Sequence, residues 1–479
     1  MIIYYLEEQI LQNFGHKPTS QQAELIRQLA SFLLSDRGSE AFILCGYAGT
    51  GKTSLISALV KTMKSLERHC VLMAPTGRAA KVLSSYAKQA AYTIHKRIYR
   101  YTTDDGADQH SSIDYNKMKN TLFIVDEASM IANDGLSGSA FGTGRLLDDL
   151  VQYVYSGTGC RLILIGDTAQ LPPVGEAESP ALQADIIGGY GLQVHFFELT
   201  QVVRQENESG ILSNATQLRT LHAEDNVYDY PHIDFTKDVR KIMGNELIEK
   251  IESCYDRCGT DGTIVICRSN KRANIYNQGI RRQILWREEE LESGDMLMVA
   301  KNNYYWLDQG KITDNPNETD TKATQFIANG DIAVVERVRN ERELYGFRFA
   351  DCILRLPDYD NMEFEATVLL DTLHAEAPSL TKEQAATLFA RVQEDYMHIR
   401  NKRERMKELR KDPYYNALQV KYAYAVTCHK AQGGQWPRVF IDQGYMTEDM
   451  LGPDYYRWLY TAFTRATEKL YLVNWEEHH

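Results

Sequence analysis

The sequence has few cysteines and no long uninterrupted apolar run. Eight cysteines occur among 479 residues, and none of them forms a Cys-x-x-Cys pair. Cys254 and Cys258 lack a second ligand pair, which favours two ordinary thiols over a zinc site. Because no run reaches about 18 apolar residues, a membrane-spanning helix and a membrane partner are not expected. Glu7 and Glu8 interrupt the apolar start, so no signal peptide is expected either, and the few cysteines predict a reducing, cytoplasmic location.

An excess of positive charge is also missing. The chain carries 53 Lys and Arg against 65 Asp and Glu, which gives a formal net charge of −12. Because phosphate contacts need Lys and Arg, this balance alone argues against a nucleic-acid partner. The 43% of hydrophobic residues suffices for more than one core, and the length predicts roughly three domains.

Short apolar runs alternate with amphipathic segments in two parts of the chain. The runs are continuous rather than alternating, as in parallel strands that are buried on both faces. The first set is Ala41–Cys45, Cys70–Pro75, Thr121–Val125, Arg161–Gly166 and Val194–Leu199. The second set is Thr263–Cys267, Tyr422–Thr427, Arg438–Asp442 and Lys469–Asn474. This alternation predicts an α/β fold with two doubly wound domains.

A different pattern interrupts the second set. Short strands with turns from about residue 295 to 360 predict a small β-barrel-like insertion, and Asn329-Gly330 is typical of a hairpin turn. Thr381 to about Lys411 then reads as one long helix. Its end, Arg400 to Asp412, carries seven Lys or Arg against three acids. This arm is either a solvated helix or a contact with DNA or a partner.

The segment from Gly46 to Thr53 matches the phosphate-loop pattern G-x-x-x-x-G-K-[ST] in full, between a predicted strand and a predicted helix. Its glycines let backbone N–H groups face phosphate oxygens, and the helix that begins at Ser54 adds partial positive charge. Lys52 is the candidate to neutralise the β- and γ-phosphates, and the Thr53 hydroxyl is a candidate Mg²⁺ ligand. The glycines of the loop are Gly46, Gly49 and Gly51.

Polar residues follow two further strands of this first set. Asp126 is a candidate Mg²⁺ ligand and Glu127 a candidate to orient the attacking water, because ligands bind at the carboxyl ends of parallel strands. Alternatively, both acids cap the next helix. Gln170 is a candidate γ-phosphate contact, unless its segment is simply a turn closed by Pro172 and Pro173.

Gln22 stands three residues after Thr19 at a predicted helix start. Two interpretations are open for it. Gln22 either reads the adenine edge of a nucleotide or is the capping-box partner of Thr19.

Several motifs follow one another in a fixed order: Ala74–Ala80, Thr93–His95, Val125–Ala128, Gly166–Pro172, Leu199–Gln205, Tyr424–Gly433 and Tyr460–Ala466. In this order the chain resembles the superfamily 1 DNA helicases of the 5′-to-3′ branch, and most of all the RecD-like and Dda-like group. The phosphate loop alone is shared by many ATPases. Its combination with Thr-x-His-Lys-x-Gln-Gly and Tyr-Thr-Ala-x-Thr-Arg is far more specific.

The resemblance implies two RecA-like P-loop domains in tandem, with ATP in the cleft between them. Residues 1–200 would form the first domain, with a small pin insertion at about 96–118 within it. Residues 201–294 and 414–479 would form the second domain. An SH3-like insertion with the charged helical arm would occupy 295–413.

The resemblance also implies a nucleotide site shared by both domains. Arg204, near the junction of the domains, and Arg465, from the second domain, would reach the γ-phosphate and stabilise the charge that builds on it. Because Arg465 comes from the other domain, hydrolysis would be coupled to domain closure. The first domain would contribute Gln22, Lys52, Thr53, Asp126, Glu127 and Gln170.

Single-stranded DNA is implied to cross both domains, held at its phosphates without sequence readout. The positions that match the strand-binding motifs are Pro75, Thr76, Arg78, His95, Thr427 and His429. Tyr99 and Tyr101 lie in the predicted pin, within Ile98–Asn116, where an aromatic ring could stack on the last base pair or simply pack the hairpin.

Together with these features, the resemblance implies a helicase that uses ATP and Mg²⁺, moves 5′-to-3′ on single-stranded DNA and opens duplex at single-strand/duplex junctions. We expect a monomeric motor, with repair or replication proteins as candidate partners. Two alternatives are open: a non-motor P-loop ATPase switch, and a helicase-like subunit of a repair complex.

Overall fold

The described part of the chain folds into two parallel sheets, a closed barrel and a small hairpin. The structure is a computed structural model that describes residues 2–35, 38–101, 111–133, 135, 142–203, 209–303, 305–309 and 327–476. The strands are β1 Glu40–Gly46, β2 Cys70–Ala74, β3 Ala91–Thr93, β4 Tyr99–Tyr101, β5 Ser111–Ile113, β6 Leu122–Val125, β7 Arg161–Gly166, β8 Gln193–Leu199, β9 Val239–Ile242, β10 Thr263–Cys267, β11 Met296–Val299, β12 Ile332–Leu344, β13 Phe347–Leu356, β14 Met362–Leu369, β15 Leu418–Tyr422, β16 Ala425–Thr427, β17 Trp436–Asp442 and β18 Ala466–Val473.

Helices cover both faces of the sheets. They are α1 Ile2–Phe14, α2 Ser20–Leu34, α3 Lys52–Ser65, α4 Gly77–Ala87, α5 Ile94–Ile98, α6 Leu146–Ser156, α7 Ala184–Gly188, α8 Gly210–Ala223, α9 Leu247–Cys258, α10 Asn270–Gln283, α11 Trp306–Gln309, α12 Lys382–Asp395, α13 Lys402–Leu409, α14 Cys428–Ala431 and α15 Pro453–Phe463. In the described residues we find no helix with the combined length and apolarity that crossing a bilayer requires.

The first sheet is parallel and has the strand order β3-β2-β6-β7-β1-β8. Phe42 and Leu44 of β1 belong to the apolar core on one face, and Ile43 belongs to the core on the other face. Two-sided burial therefore explains the continuous apolar run of β1. All five strands of the first predicted set are present, although the edge strand β8 is mostly half-buried or exposed. β3 was not predicted because it is only three residues long and its central Tyr92 is exposed.

The second sheet is also parallel, with the order β16-β10-β17-β18-β9. The prediction of one strand over Tyr422–Thr427 is wrong, because β15 closes the barrel and β16 joins this sheet. Asn277 holds the segment between β15 and β16, where the chain passes from the barrel to the sheet. Its amide donates to the carbonyls of Tyr422 (3.3 Å) and Ala425 (2.9 Å). Both strands are buried, so the apolar pattern does not reveal the break.

The barrel contains β11, β12, β13, β14 and β15. A turn is present at Asn329-Gly330, with Gly330 at φ +91°. The prediction of a hairpin there is wrong, because its flanks pair elsewhere: Ile332 pairs with Met298, and Ile327 forms a bridge with Asn303. The predicted hairpin in the first domain is present as the antiparallel pair of β4 and β5, and its tip at 102–110 lies outside the described residues.

The helical arm is divided. The prediction of one helix from Thr381 to Lys411 is wrong, because α12 ends at Asp395 and α13 starts at Lys402. Asn401 caps α13 by accepting a hydrogen bond from the N–H of Arg403 at 3.0 Å. Leu388, Val392 and Leu409 turn inward and share a core with residues of β13. The arm is therefore packed on the barrel along one side.

Candidate active site

The phosphate loop connects β1 to α3 through residues in the left-handed region. Gly49 has φ +81° and Gly51 has φ +87°, where side chains are strained. A Cβ on Gly51 would also lie 2.6 Å from the Nε2 of Gln22. The positive φ of the turn therefore favours glycine at position 51, and a side chain there would also displace the Gln22 amide.

Lys52 points into the loop. Its ammonium donates to the carbonyl of Gly46, where β1 ends, and to that of Tyr47 at 3.0 Å. Thr53 and Ser54 in the first turn of α3 are exposed. The loop thus places one cation inside its curve and two hydroxyl groups at its open side, as binding of a phosphate and a cation requires.

Both polar atoms of the Gln22 amide form hydrogen bonds within the protein. Its Oε1 accepts from the N–H of Thr19 at 3.0 Å, which forms a reciprocal capping box at the start of α2. Its Nε2 donates to the carbonyl of Thr50 in the phosphate loop at 3.0 Å. The structure supports the capping interpretation, and it adds a hydrogen bond between α2 and the phosphate loop.

The two acids lie at the end of β6. Asp126 accepts a hydrogen bond from the N–H of Glu127 at 2.9 Å. Burial raises the pKa of both carboxyl groups, and the charge of Lys52 opposes this rise. Glu127 precedes the short 3₁₀-helix Ala128–Met130 without a side-chain capping bond, and its backbone has φ +54°. The capping alternative is therefore not supported for Glu127, and its strained backbone is typical of functional positions.

Gln170 lies in the loop after β7. Its side chain is 6% exposed, and its Oε1 is buried with no hydrogen-bond partner among the residues that the structure describes. The loop is closed mainly by Asp167, which accepts from the N–H of Ala169 at 3.0 Å. The unsatisfied amide oxygen is a candidate acceptor for the attacking water, and the amide N–H groups of the same side chain are candidate donors to the γ-phosphate.

The second domain reaches this site through Tyr460 of α15. The Tyr460 hydroxyl donates to Asp167 at 2.7 Å and accepts from the N–H of Ala48 in the phosphate loop at 3.1 Å. The residue-by-residue prediction missed this role. The only sequence signal was its place in the motif Tyr460–Ala466.

Arg465 is 3% exposed at the end of the same motif. Its guanidinium donates to the carbonyls of Thr461 (3.1 Å) and Gly434 (3.2 Å), within the second domain. Burial has the largest effect on the pKa of Glu127 and raises it. The positive charge of Arg465 has the second largest effect and lowers it. The structure thus places Arg465 near Glu127, the residue of the first domain that is predicted to orient the attacking water. Arg204 lies outside the described residues.

The start of α4 carries the strand-binding candidates Thr76 and Arg78, and residues of the second domain lie against it. Thr76 caps α4 by accepting from the N–H of Ala79 at 3.2 Å. The guanidinium of Arg78 lies 4.0 Å from the Trp436 ring centre. A Cβ on Gly433, in the segment after α14, would lie 3.3 Å from the Thr76 hydroxyl. Of the remaining candidates, Pro75 and Thr427 are half-buried and His429 is exposed.

His95 and Tyr99 are enclosed near the hairpin. Burial lowers the pKa of His95 to about 4, so this ring is neutral near pH 7. Tyr99 is 7% exposed, and its hydroxyl donates to Asp149 at 2.6 Å. Of the two interpretations of Tyr99, the structure supports packing of the hairpin rather than stacking on a base pair.

A phosphate loop on one parallel sheet is contacted by Tyr460 of α15, the helix that leads into β18 of a second parallel sheet. This arrangement defines two RecA-like P-loop domains in tandem. The AAA domain family matches residues 17–240, and the UvrD-like helicase C-terminal domain family matches residues 422–473. The chain is similar to the superfamily 1 helicases, the group that includes RecD2 and Dda.

Three relatives illustrate the range of similarity. Protein R530 of Acanthamoeba polyphaga mimivirus is 23% identical, over 90% of this chain and 94% of that protein. The ATP-dependent RecD2 DNA helicase of Deinococcus radiodurans is 26% identical, over 60% of this chain and 36% of that protein. The ATP-dependent DNA helicase Dda of Enterobacteria phage T4 is 27% identical, over 53% of this chain and 55% of that protein. The matches to the two named helicases thus span about a third and about half of their lengths.

Proposed function

We propose that this chain is an ATP-dependent DNA helicase that moves 5′-to-3′ along single-stranded DNA and unwinds duplex ahead of it. The Tyr460 hydroxyl carries the proposal, because it joins the phosphate loop at Ala48 to Asp167 from the opposite domain. A nucleotide switch needs no second RecA-like half, whereas a motor must convert changes at the phosphates into movement between halves. RecD2 and Dda, two relatives, are ATP-dependent DNA helicases.

ATP fits the loop that Gly46, Gly49, Gly51, Lys52, Thr53 and Ser54 form. Mg²⁺ would be held by the Thr53 hydroxyl and Asp126, whose buried carboxylate a cation would stabilise. When bound, the ion neutralises charge on the phosphate oxygens. Glu127 orients the attacking water, and Gln170 responds to the γ-phosphate. Arg465 stabilises the charge of the transferred phosphoryl group, and we assign the same role to Arg204.

Single-stranded DNA is bound where the two domains meet at Thr76. Pro75, Thr76 and Arg78 hold it from the first domain, and Thr427 and His429 hold it from the second. His95 contributes a neutral hydrogen-bonding ring, since its pKa is about 4. Closure and opening of the domains alternate the grip and advance the protein by steps. We propose that it works as a monomer, with repair or replication proteins as partners.

The first test is the ATPase rate with and without single-stranded DNA over a salt series. We expect strand-stimulated hydrolysis, whereas a non-motor switch would show none. Lys52→Ala should lower ATPase and unwinding at least about a hundredfold while sparing most of the DNA affinity. Lys61→Ala, which removes an exposed lysine of the same helix α3, is the matched control and should leave both unchanged. Strong unwinding by the Lys52 variant would refute the site.

Polarity is tested with duplexes that carry a single-stranded tail on either the 5′ or the 3′ side. We expect unwinding from the 5′ tail, with the blunt duplex as control. Unwinding solely from the 3′ tail would overturn the proposed direction and leave the ATPase assignment intact.

A further inference from the structure

Leu171, next to Gln170, is held by the second domain at both of its backbone polar groups. Its N–H donates to the hydroxyl of Thr461 on α15 at 2.9 Å. Its carbonyl accepts from the Nε2 of Gln432 at 2.7 Å. All three groups are buried, so neither bond competes with water.

We call residues 167–171, after β7, the Gln170 loop. The two bonds at Leu171 fix the end of this loop, and a third bond, at Asp167, fixes its start. Asp167, three residues before Gln170, accepts from the Tyr460 hydroxyl at 2.7 Å. Gln170 therefore lies between two points that the second domain holds, while its own Oε1 is buried without a partner in the described structure. The position of this amide depends on the second domain as much as on β7.

Gln432 also belongs to the strand-binding side. It directly follows α14, a helix of four residues that begins after Thr427 and carries the exposed His429. A shift of α14 moves Gln432, since no flexible segment separates them. The same short segment thus carries His429, a proposed strand-binding residue, and Gln432, which holds the Gln170 loop.

We propose that Gln432 and Thr461 are positioning residues that transmit strand occupancy at α14 to Gln170 through the backbone of Leu171. Strand binding sets the position of α14, Gln432 then sets the Leu171 carbonyl, and Gln170 reaches its productive position against the γ-phosphate. This inference rests on the proposed helicase function. It accounts for how DNA stimulates hydrolysis without contacting the nucleotide.

The test replaces each bond by an isosteric side chain and measures how far saturating oligo(dT) stimulates kcat. For Gln432→Met and Thr461→Val we expect the stimulation ratio to fall about tenfold, as for a lost buried hydrogen bond, with little change in the KM for ATP or in strand affinity. Thr461→Ser, which keeps the hydroxyl, should restore the ratio. Thermal unfolding of each variant checks that the fold is intact.

Arg457→Met is the matched control. Arg457 also donates from the second domain to a first-domain carbonyl, that of Ala177 at 2.6 Å, but outside the Gln170 loop. Its loss should leave the stimulation ratio unchanged. An unchanged stimulation ratio in Gln432→Met, or an equal loss in Arg457→Met, would overturn this inference but would leave the proposed helicase function standing. If the unsubstituted chain showed no stimulation, the proposed function would fall with it.

Discussion

Glu127 combines a strained backbone with a buried carboxylate. Its φ of +54° costs free energy for a residue with a side chain, and burial is the main cause of its raised pKa. The nearby Arg465 and Lys52 lower that pKa and so favour the ionised form. A carboxylate that orients water must be ionised, and its environment sets the pH at which this occurs.

The pH profile of hydrolysis should report this raised pKa. Because the ionised form is active, kcat/KM for ATP, which reports the free enzyme, should fall on the acid side with an apparent pKa above the ordinary glutamate value of about 4.3. Glu127→Gln should lower kcat at least about a hundredfold while ATP still binds. The exposed Glu178→Gln is the control and should change neither value. Wild-type turnover in the Glu127 variant would exclude this residue from the reaction.

Charged site residues were predictable from the sequence, whereas neutral residues that act through contacts were not. Lys52, Asp126 and Glu127 stand at strand ends within recognisable patterns, so their chemistry follows from position. Tyr460 acts on Asp167, which lies 293 residues earlier in the chain. No local pattern encodes such a pairing, because only the packing of the two domains creates it.

At the scale of elements, the helical arm shows where sequence periodicity fails to predict the end of a helix. Polar and apolar residues continue through Tyr396–Arg400 without a proline or glycine, so the sequence predicts one helix. The break depends on tertiary contacts: the Tyr396 hydroxyl donates to Asp412 at 2.9 Å. Leu388 and Val392 are buried against the barrel, so deleting the arm would expose a core. Substituting its exposed charges is the cleaner test of a DNA contact.

Lys402 and Lys407 are exposed on α13. If the basic end of the arm contacts DNA phosphates, Lys402→Glu with Lys407→Glu should weaken strand binding at low salt. The slope of log K against log salt should fall by about 1.4, at about 0.7 per lost phosphate contact. The matched control reverses Lys61 and Lys64, two exposed lysines of α3 on the first domain. Equal effects from both pairs, or no effect from either, would contradict a specific role for the arm.

Across the whole molecule, the net charge of −12 is compatible with the proposed DNA partner. The strand-binding candidates are helix starts, hydroxyls and one partly enclosed Arg78, rather than a broad basic surface. Backbone N–H groups can hold phosphates locally while the remaining surface stays acidic. An acidic surface also disfavours nonspecific binding to duplex, which suits a motor that must release its strand.

The barrel closes onto the first domain at the start of α4. The Tyr359 hydroxyl donates to Asp331 at 2.9 Å, and a Cβ on Gly77 would lie 2.4 Å from an oxygen of that carboxylate. Lys81 forms an ion pair with Asp358 at 3.2 Å beside this contact. Asp331, more than 250 residues away in the chain, therefore leaves room only for glycine at position 77. The motif Ala74–Ala80 alone does not explain this requirement.

Asp331 gives this contact a pH dependence. Burial raises its pKa to about 7, and the nearby Asp358 adds to the rise, while the N–H of Ala328, the hydroxyl of Tyr359 and the charge of Lys96 oppose it. The ordinary aspartate value is about 3.9, so between these values the folded chain keeps a proton that the unfolded chain releases. Stability from this group is full below about pH 4 and is lost as pH rises through 7.

Asp331→Asn removes the titration and can still accept hydrogen bonds from Ala328 and Tyr359. We expect it to raise the midpoint of thermal unfolding more at pH 8 than at pH 5, because only at pH 8 does the parent carry the buried charge. The exposed Asp256→Asn, on α9, is the control and should show no such difference. A gain that is equal at both pH values, or larger at pH 5, would show that Asp331 is not held in its neutral form where the barrel meets the first domain.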